Sequence, residues 1–147
     1  MTVDYGTVLV PTDGSEEVDR ALDHALRIAT DHDAAVHALF VVDGRVLKAA
    51  REDRESVAAD LRAQGEDAVG RVAERAAEAG VEVATAVREG TPDVTIRSYA
   101  DEVDADVVVM APRGLTGRDR LQSLGSVTER VVTGAARPVL VVGGETD

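Results

Sequence analysis

Val107-Val108-Val109-Met110 runs into Ala111-Pro112-Arg113-Gly114-Leu115-Thr116-Gly117, and Leu124-Gly125-Ser126-Val127-Thr128-Glu129 follows shortly afterwards. The apolar run from Val107 has no polar face, so it fits a strand covered on both sides, read here as Ala105 to Met110. The glycines let the backbone approach an anion closely. A Gly-Ser helix start adds free N–H groups that can bind it. Strand, glycine-bearing loop and helix start together describe a phosphate cradle, although a common strand-to-helix loop shares these parts.

The same alternation extends in both directions. Thr7-Val8-Leu9-Val10 is a second buried run, stopped by the turn Pro11-Thr12-Asp13-Gly14. Ser15 fits a helix cap there, with Glu16 and Glu17 favourable to the helix dipole. Val18, Leu22, Ala25, Leu26 and Ala29 recur at helical spacing. Ala35 to Val42 reads as a strand, and Lys48 to Ala79 as one long helix with the stripe Val57, Leu61, Val69, Val72 and Ala76. Gly65 and Gly70 weaken that helix by about 1 kcal/mol each against alanine. The charged run Arg51 to Glu55 fits a solvated helix face.

Gly80 suits the helix end, and Val81 to Val87 alternates as a strand. Thr91-Pro92 fits an N-cap followed by a first-turn proline. Ile96, Tyr99, Ala100 and Val103 mark the next helix face. Val127, Val131 and Ala135 mark the last helix, and Val139 to Val142 a fifth strand. Strands alternating with helices predict a doubly wound α/β domain, three layers deep, with a parallel sheet covered on both faces. At 147 residues the chain fits one domain spanning 1–147.

Composition narrows the function. The absence of cysteine excludes disulfides, thiolate zinc sites and thiol catalysis. No stretch reads as a membrane span or a targeting segment, so a soluble, cytoplasmic protein is expected. The net charge is −12, and Lys48 is the one lysine. Such a surface repels itself at low salt, and molar salt screens it, which suggests adaptation to a salty cytoplasm. It also argues against nucleic-acid binding. Residues 113–137 are the exception: five arginines stand there against Asp119 and Glu129, so an anion is tolerated best here.

In open parallel sheets, ligands bind beyond the carboxyl ends of the strands, where the strand order reverses. Two loops fall in such positions, Pro11 to Ser15 and 111–126. Asp13 suits a ribose hydroxyl or an adenine amino group as well as an Asx turn. Ser126 suits a phosphate oxygen as well as a helix cap. Arg113 suits phosphate as well as solvent.

At these residues the chain resembles the universal stress protein family over essentially its whole length. The matching pieces are 8–15, Val41-Val42-Asp43, Glu89-Gly90-Thr91-Pro92, 107–110, Gly125 to Val132, and Arg137 to Val142, in the family's order. The resemblance implies a five-stranded parallel sheet of order 3-2-1-4-5, adenine nucleotide α-hydrolase-like, which sets the two loops side by side. It implies homodimers, often paired through the last strand, here Val139 to Val142. It further implies ATP or a related adenine nucleotide, with Mg²⁺ as a possible companion. Pro11, Asp13, Val41 and Met110 would then surround the nucleoside. Gly114, Gly125, Ser126 and Val127 would face the phosphates, largely through backbone N–H groups, with Ala111 and Arg113 of the same loop counted in the site.

The family's ATP-binding members carry Gly-x-x-Gly, nine residues, then Gly-Ser or Gly-Thr. Here Ala111 takes the first glycine's place, and ten residues separate Gly114 from Gly125. Re-registering on Gly114 to Gly117 restores the glycine pair but leaves seven residues and moves the loop away from the strand. Ala111 costs little at negative φ and strains a positive-φ turn. The departures leave open a second expectation, a family member that binds no nucleotide and serves as a dimeric interaction module. An enzyme such as a nucleotidyl transferase is expected less. His24, His32 and His37 lie far from the glycine loop, and catalysis beyond slow ATP hydrolysis would need His or Lys beside the phosphates.

Overall fold

The computed structural model describes residues 3–50, 53–113 and 124–143. Chain order is β1 (Thr7–Pro11), α1 (Glu17–His32), β2 (Ala35–Asp43), α2 (Gly44–Ala49), α3 (Arg54–Glu78), β3 (Val83–Gly90), α4 (Pro92–Glu102), β4 (Val107–Met110), α5 (Ser126–Gly134) and β5 (Val139–Val141). The five strands form one sheet in the order β3-β2-β1-β4-β5, all parallel. The expected topology is therefore the observed one. Its consequence is a reversal point: from β1 the chain winds toward β2, and from β4 it winds the opposite way toward β5. Crevices form at such points because the two connections leave on opposite faces.

Period-two alternation divides the core. Val8, Val10, Val36, Ala38, Phe40, Val42, Val107 and Val109 pack under the apolar stripes of α1 and α3. Leu9, Leu39, Val108 and Met110 face Ile96, Tyr99 and Ala100 of α4 and Val131 of α5. The sheet is buried on both faces, and for that reason its inner strands read as unbroken apolar runs. Among the described residues, no helix is long and apolar enough to cross a membrane.

The long helix expected over Lys48–Ala79 is two helices. Ala50 is extended (φ −73°, ψ 110°) and Asp53 is left-handed (φ 53°), so the chain turns between α2 and α3. Arg54 and Glu55 of the charged run do open α3 and are exposed. Gly80 ends α3 at φ 72°, as its position suggested. Gly65 has a packing reason: a Cβ there would lie 2.6 Å from Cδ1 of Phe40, so the helix backbone rests directly on the ring. Nothing comparable crowds Gly70.

Ion pairs lace the helical surface. Arg71 pairs with Asp19 at 2.9 Å and Arg75 with Asp23, tying α3 to α1. Arg137 donates to the carbonyls of Ala100 and Ala105 and to Asp101. It precedes β5, at the amino edge of the sheet. Its charge therefore acts far from the carboxyl edge, so it adds little to the local positive charge counted over 113–137. Arg118 and Arg120 lie outside the described residues.

Candidate functional site

The turn after β1 is held by its own side chains. Thr12 Oγ1 accepts from Gly14 N at 3.1 Å, and Asp13 Oδ1 accepts from Ser15 N at 2.9 Å. Gly14 takes φ 84°, a conformation that glycine adopts without strain. Asp13 is thus an Asx-turn residue, half-buried at the end of β1, with its carboxylate fixed by the backbone it helps to fold.

Ser15 does not cap α1. The cap position is Glu16, which makes no side-chain capping bond, while the Ser15 carbonyl accepts from Val18 N at 3.3 Å. Ser15 is buried, and its Oγ finds no hydrogen-bond partner among the described residues. Buried hydroxyls normally find a partner, so this loop keeps an unused hydrogen-bonding group.

The second loop leaves β4 beside the first. Val8 pairs with Val107 and Leu9 with Val108, and continuing this register sets Pro11 against Met110. On its other side Pro11 pairs with Leu39. Side chains two apart share a sheet face. Pro11, Val41 and Met110 therefore stand on the same face as Leu9, Leu39 and Val108, the face under α4 and α5. Three apolar groups from adjacent strands line up at the carboxyl edge, the kind of surface that takes a flat heterocycle.

Ala111 alternates to the opposite face and is buried under α1 with Val109. Its backbone does not lie in the positive-φ region, so the strain feared for a glycine replacement is absent. Its carbonyl accepts from the buried Thr128 Oγ1 at 2.9 Å, which draws α5 down onto the end of β4. No sequence signal singled out Thr128; a threonine two residues into a helix reads as an ordinary surface residue.

Gly125 sits at the cap of α5 and donates its N–H to Pro112 O at 2.7 Å. A Cβ there would come within 3.4 Å of both Arg113 Cα and Pro112 O. The glycine serves close approach, since its φ is −74°. Ser126 is the first residue of α5 and not its cap, as one alternative had it. Because glycine has no side chain, the first-turn N–H groups at Ser126 and Val127 have no capping acceptor from position 125. Such a bare helix head favours an anion. Arg113 reaches back to Glu17 of α1, with Nη2 to Oε1 at 3.7 Å. Gly114 lies outside the described residues.

The structure thus brings Pro11, Asp13, Val41, Met110, Arg113, Gly125, Ser126 and Val127 to the carboxyl edge around the β1/β4 reversal, with Ala111 underneath. The histidines stand elsewhere. His32 lies 3.6 Å from Asp4, and His37 is 3.5 Å from the Tyr99 hydroxyl. Burial holds the His37 pKa below the ordinary histidine value, partly opposed by Glu82. Tyr99 is raised, chiefly by burial, with the Arg88 guanidinium stacked 5.2 Å over its ring. Among the described residues, no group of three or more His, Cys, Asp or Glu could hold a metal ion.

Fold and crevice define an α/β protein whose carboxyl edge combines an apolar wall, a fixed carboxylate and an uncapped helix head. The chain belongs to the universal stress protein family, whose model matches residues 4–143. It is 40% identical over 140 residues to Universal stress protein MJ0531 of Methanocaldococcus jannaschii, covering 94% of this chain and 82% of that one. Among solved structures, MJ0577 superposes with TM-score 0.89 at 29% identity, covering 99% and 100% of the two chains. A universal stress protein in complex with cAMP superposes with TM-score 0.65 at 28% identity, covering 96% and 98%.

Proposed function

We propose that this chain binds ATP or a related adenine nucleotide at the β1/β4 crevice and serves a regulatory role in the stress response. The observation that carries the reading is the meeting of the Asp13 turn, the Pro11–Val41–Met110 face and the uncapped head of α5 at one edge. The related structure solved with cAMP supports it. In this reading the adenine lies on the apolar face, Asp13 accepts from the ribose or the base, and the phosphates meet the N–H groups at Ser126 and Val127, while Gly125, its own N–H held by Pro112 O, allows their close approach. Arg113 and Gly114 would flank the phosphates. Ala111 acts beneath the site by holding Thr128, so its side chain does not obstruct the cradle.

A Mg²⁺ ion would ride on the phosphates, because the described residues offer no ligand set that would hold it alone. Residues 1–147 act as one domain. Pairing of two copies through β5 completes the picture. Val139 and Val141 are half-buried and Leu140 is 39% exposed on this edge strand, which invites a second strand. The acidic surface fits a salt-rich cytoplasm.

Isothermal calorimetry with ATP in molar salt tests the reading. Saturable heat is expected for the wild type, with at least tenfold weaker binding in Asp13→Ala. No heat at millimolar nucleotide, or unchanged affinity in Asp13→Ala, refutes it; the first outcome with a stable dimer favours an interaction module.

A further inference from the structure

Arg113 is anchored at one helix head and reaches an acidic residue at the other. Its backbone follows Pro112, whose carbonyl holds Gly125 N, and the missing Cβ of Gly125 lets Arg113 Cα press against the start of α5. Its guanidinium crosses to the first turn of α1, where Nη2 stands 3.7 Å from Glu17 Oε1. That separation is too long for a hydrogen bond, so charge alone makes this contact. The Arg113 side chain is 23% exposed and that of Glu17 38%, so the pair is partly open to solvent.

The other carboxylate oxygen is worse placed. Glu17 Oε2 is out of reach of solvent and has no hydrogen-bond partner among the described residues. Glu16 and Asp19 flank Glu17 on the same helix, so its own element supplies further negative charge. A phosphate arriving at the head of α5 offers the guanidinium several close acceptor oxygens, whereas Glu17 Oε1 stands at 3.7 Å. When Arg113 turns to that phosphate, Glu17 loses its cation and faces the incoming anion.

Resting on the nucleotide reading above, we propose that Glu17 is a specificity-determining residue that opposes phosphate binding by holding Arg113. The pair makes affinity depend on how many phosphates the ligand carries. Adenosine leaves the pair intact and is indifferent to Glu17. ATP must break it, so part of its binding free energy is lost there. Only the tertiary structure joins the two residues, which lie 96 positions apart in the chain.

The test is calorimetric titration of adenosine, AMP and ATP into the full chain, as wild type, Glu17→Gln, Arg113→Gln and the double variant. Expected is a gain in ATP affinity of about three- to tenfold in Glu17→Gln, a smaller gain for AMP, and adenosine affinity within about twofold of wild type. In the Arg113→Gln background the gain for ATP should shrink below about twofold, because the partner being released is gone. Equal shifts for adenosine and ATP, or no shift for ATP, overturn the inference while leaving the nucleotide reading in place. Failure of every variant to bind any adenine ligand overturns both. Unfolding midpoints control for folding, and Glu17→Ser repeats the comparison if the glutamine variant does not fold.

Discussion

Gly65 and Gly70 belong to the same helix, and the same substitution at the two positions should move stability in opposite directions. In a helix interior, glycine costs about 1 kcal/mol against alanine. Gly70 is half-exposed with nothing within 4 Å of a new Cβ, so Gly70→Ala should collect that gain, about 0.8–1 kcal/mol. Gly65→Ala collects the same gain and meets the Phe40 ring, with Cδ1 at 2.6 Å, Cγ at 3.0 Å and Cε1 at 3.2 Å. Carbon contacts settle at about 3.5–4.0 Å, so ring and helix must separate by about 1 Å. Phe40 is 7% exposed and packed among core residues, which leaves it little room to retreat. Overpacking of this kind costs roughly 2–3 kcal/mol, leaving Gly65→Ala about 1–2 kcal/mol less stable than wild type. At this chain length 1 kcal/mol corresponds to about 3 °C. Thermal unfolding followed by circular dichroism, in one buffer of fixed salt, should place the two variants about 6–9 °C apart. Removing the ring tests the cause: in a Phe40→Leu background the penalty of Gly65→Ala should fall by at least half. If Gly65→Ala stabilises as much as Gly70→Ala, the direct seating of α3 on Phe40 is wrong.

Three further outcomes follow from the charges. Raising salt from about 0.1 M to 1 M shortens the Debye length from about 10 Å to 3 Å, so the unfolding midpoint should rise steadily with sodium chloride; a falling midpoint would contradict the reading of the −12 surface. His37 titrates below its ordinary value of 6.5 in the folded chain, because burial disfavours its charged form. Its contribution is therefore complete above about pH 6.5 and is lost as pH falls through the lower folded value, since the unfolded chain takes up the proton first. Stability of the wild type should drop more steeply than that of His37→Gln between pH 6.5 and 5, and parallel urea profiles would refute this. Asp106 Oδ2 accepts from Gly6 N at 2.9 Å and Thr7 N at 3.0 Å, pinning the start of β1, so Asp106→Ala should cost about 1–2 kcal/mol in urea unfolding.

Much of the fold was legible because local patterns speak for it. Val107 to Met110 has no polar face, and only a strand covered on both sides uses such a run. Gly80 marked a helix end, and Pro92 a helix start, because their backbone preferences act within one turn. The break between α2 and α3 was missed: Ala50 carries no signal, and Asp53, a residue type that suits a left-handed N-cap, sits inside a charged run that reads as a helix face. Ser15 and Ser126 misled in the same way: both are good capping residues, yet the helices begin at Glu17 and at Ser126 itself.

For the candidate site, the sequence by itself determined which residue types stand at the strand ends: the Pro11–Asp13 turn, Met110, and the Gly125-Ser126 start. It also exposed the alanine in the first glycine position. Whether that alanine matters was decided by the tertiary structure, which turns its side chain under α1, gives it an unstrained backbone and puts its carbonyl to use on Thr128. The meeting of Arg113 with Glu17 was likewise decided there. Periodicity reports which face a residue occupies on its own element, because that depends on neighbours a few positions away. Contacts between the heads of two helices depend on sheet order and packing, which no local pattern encodes.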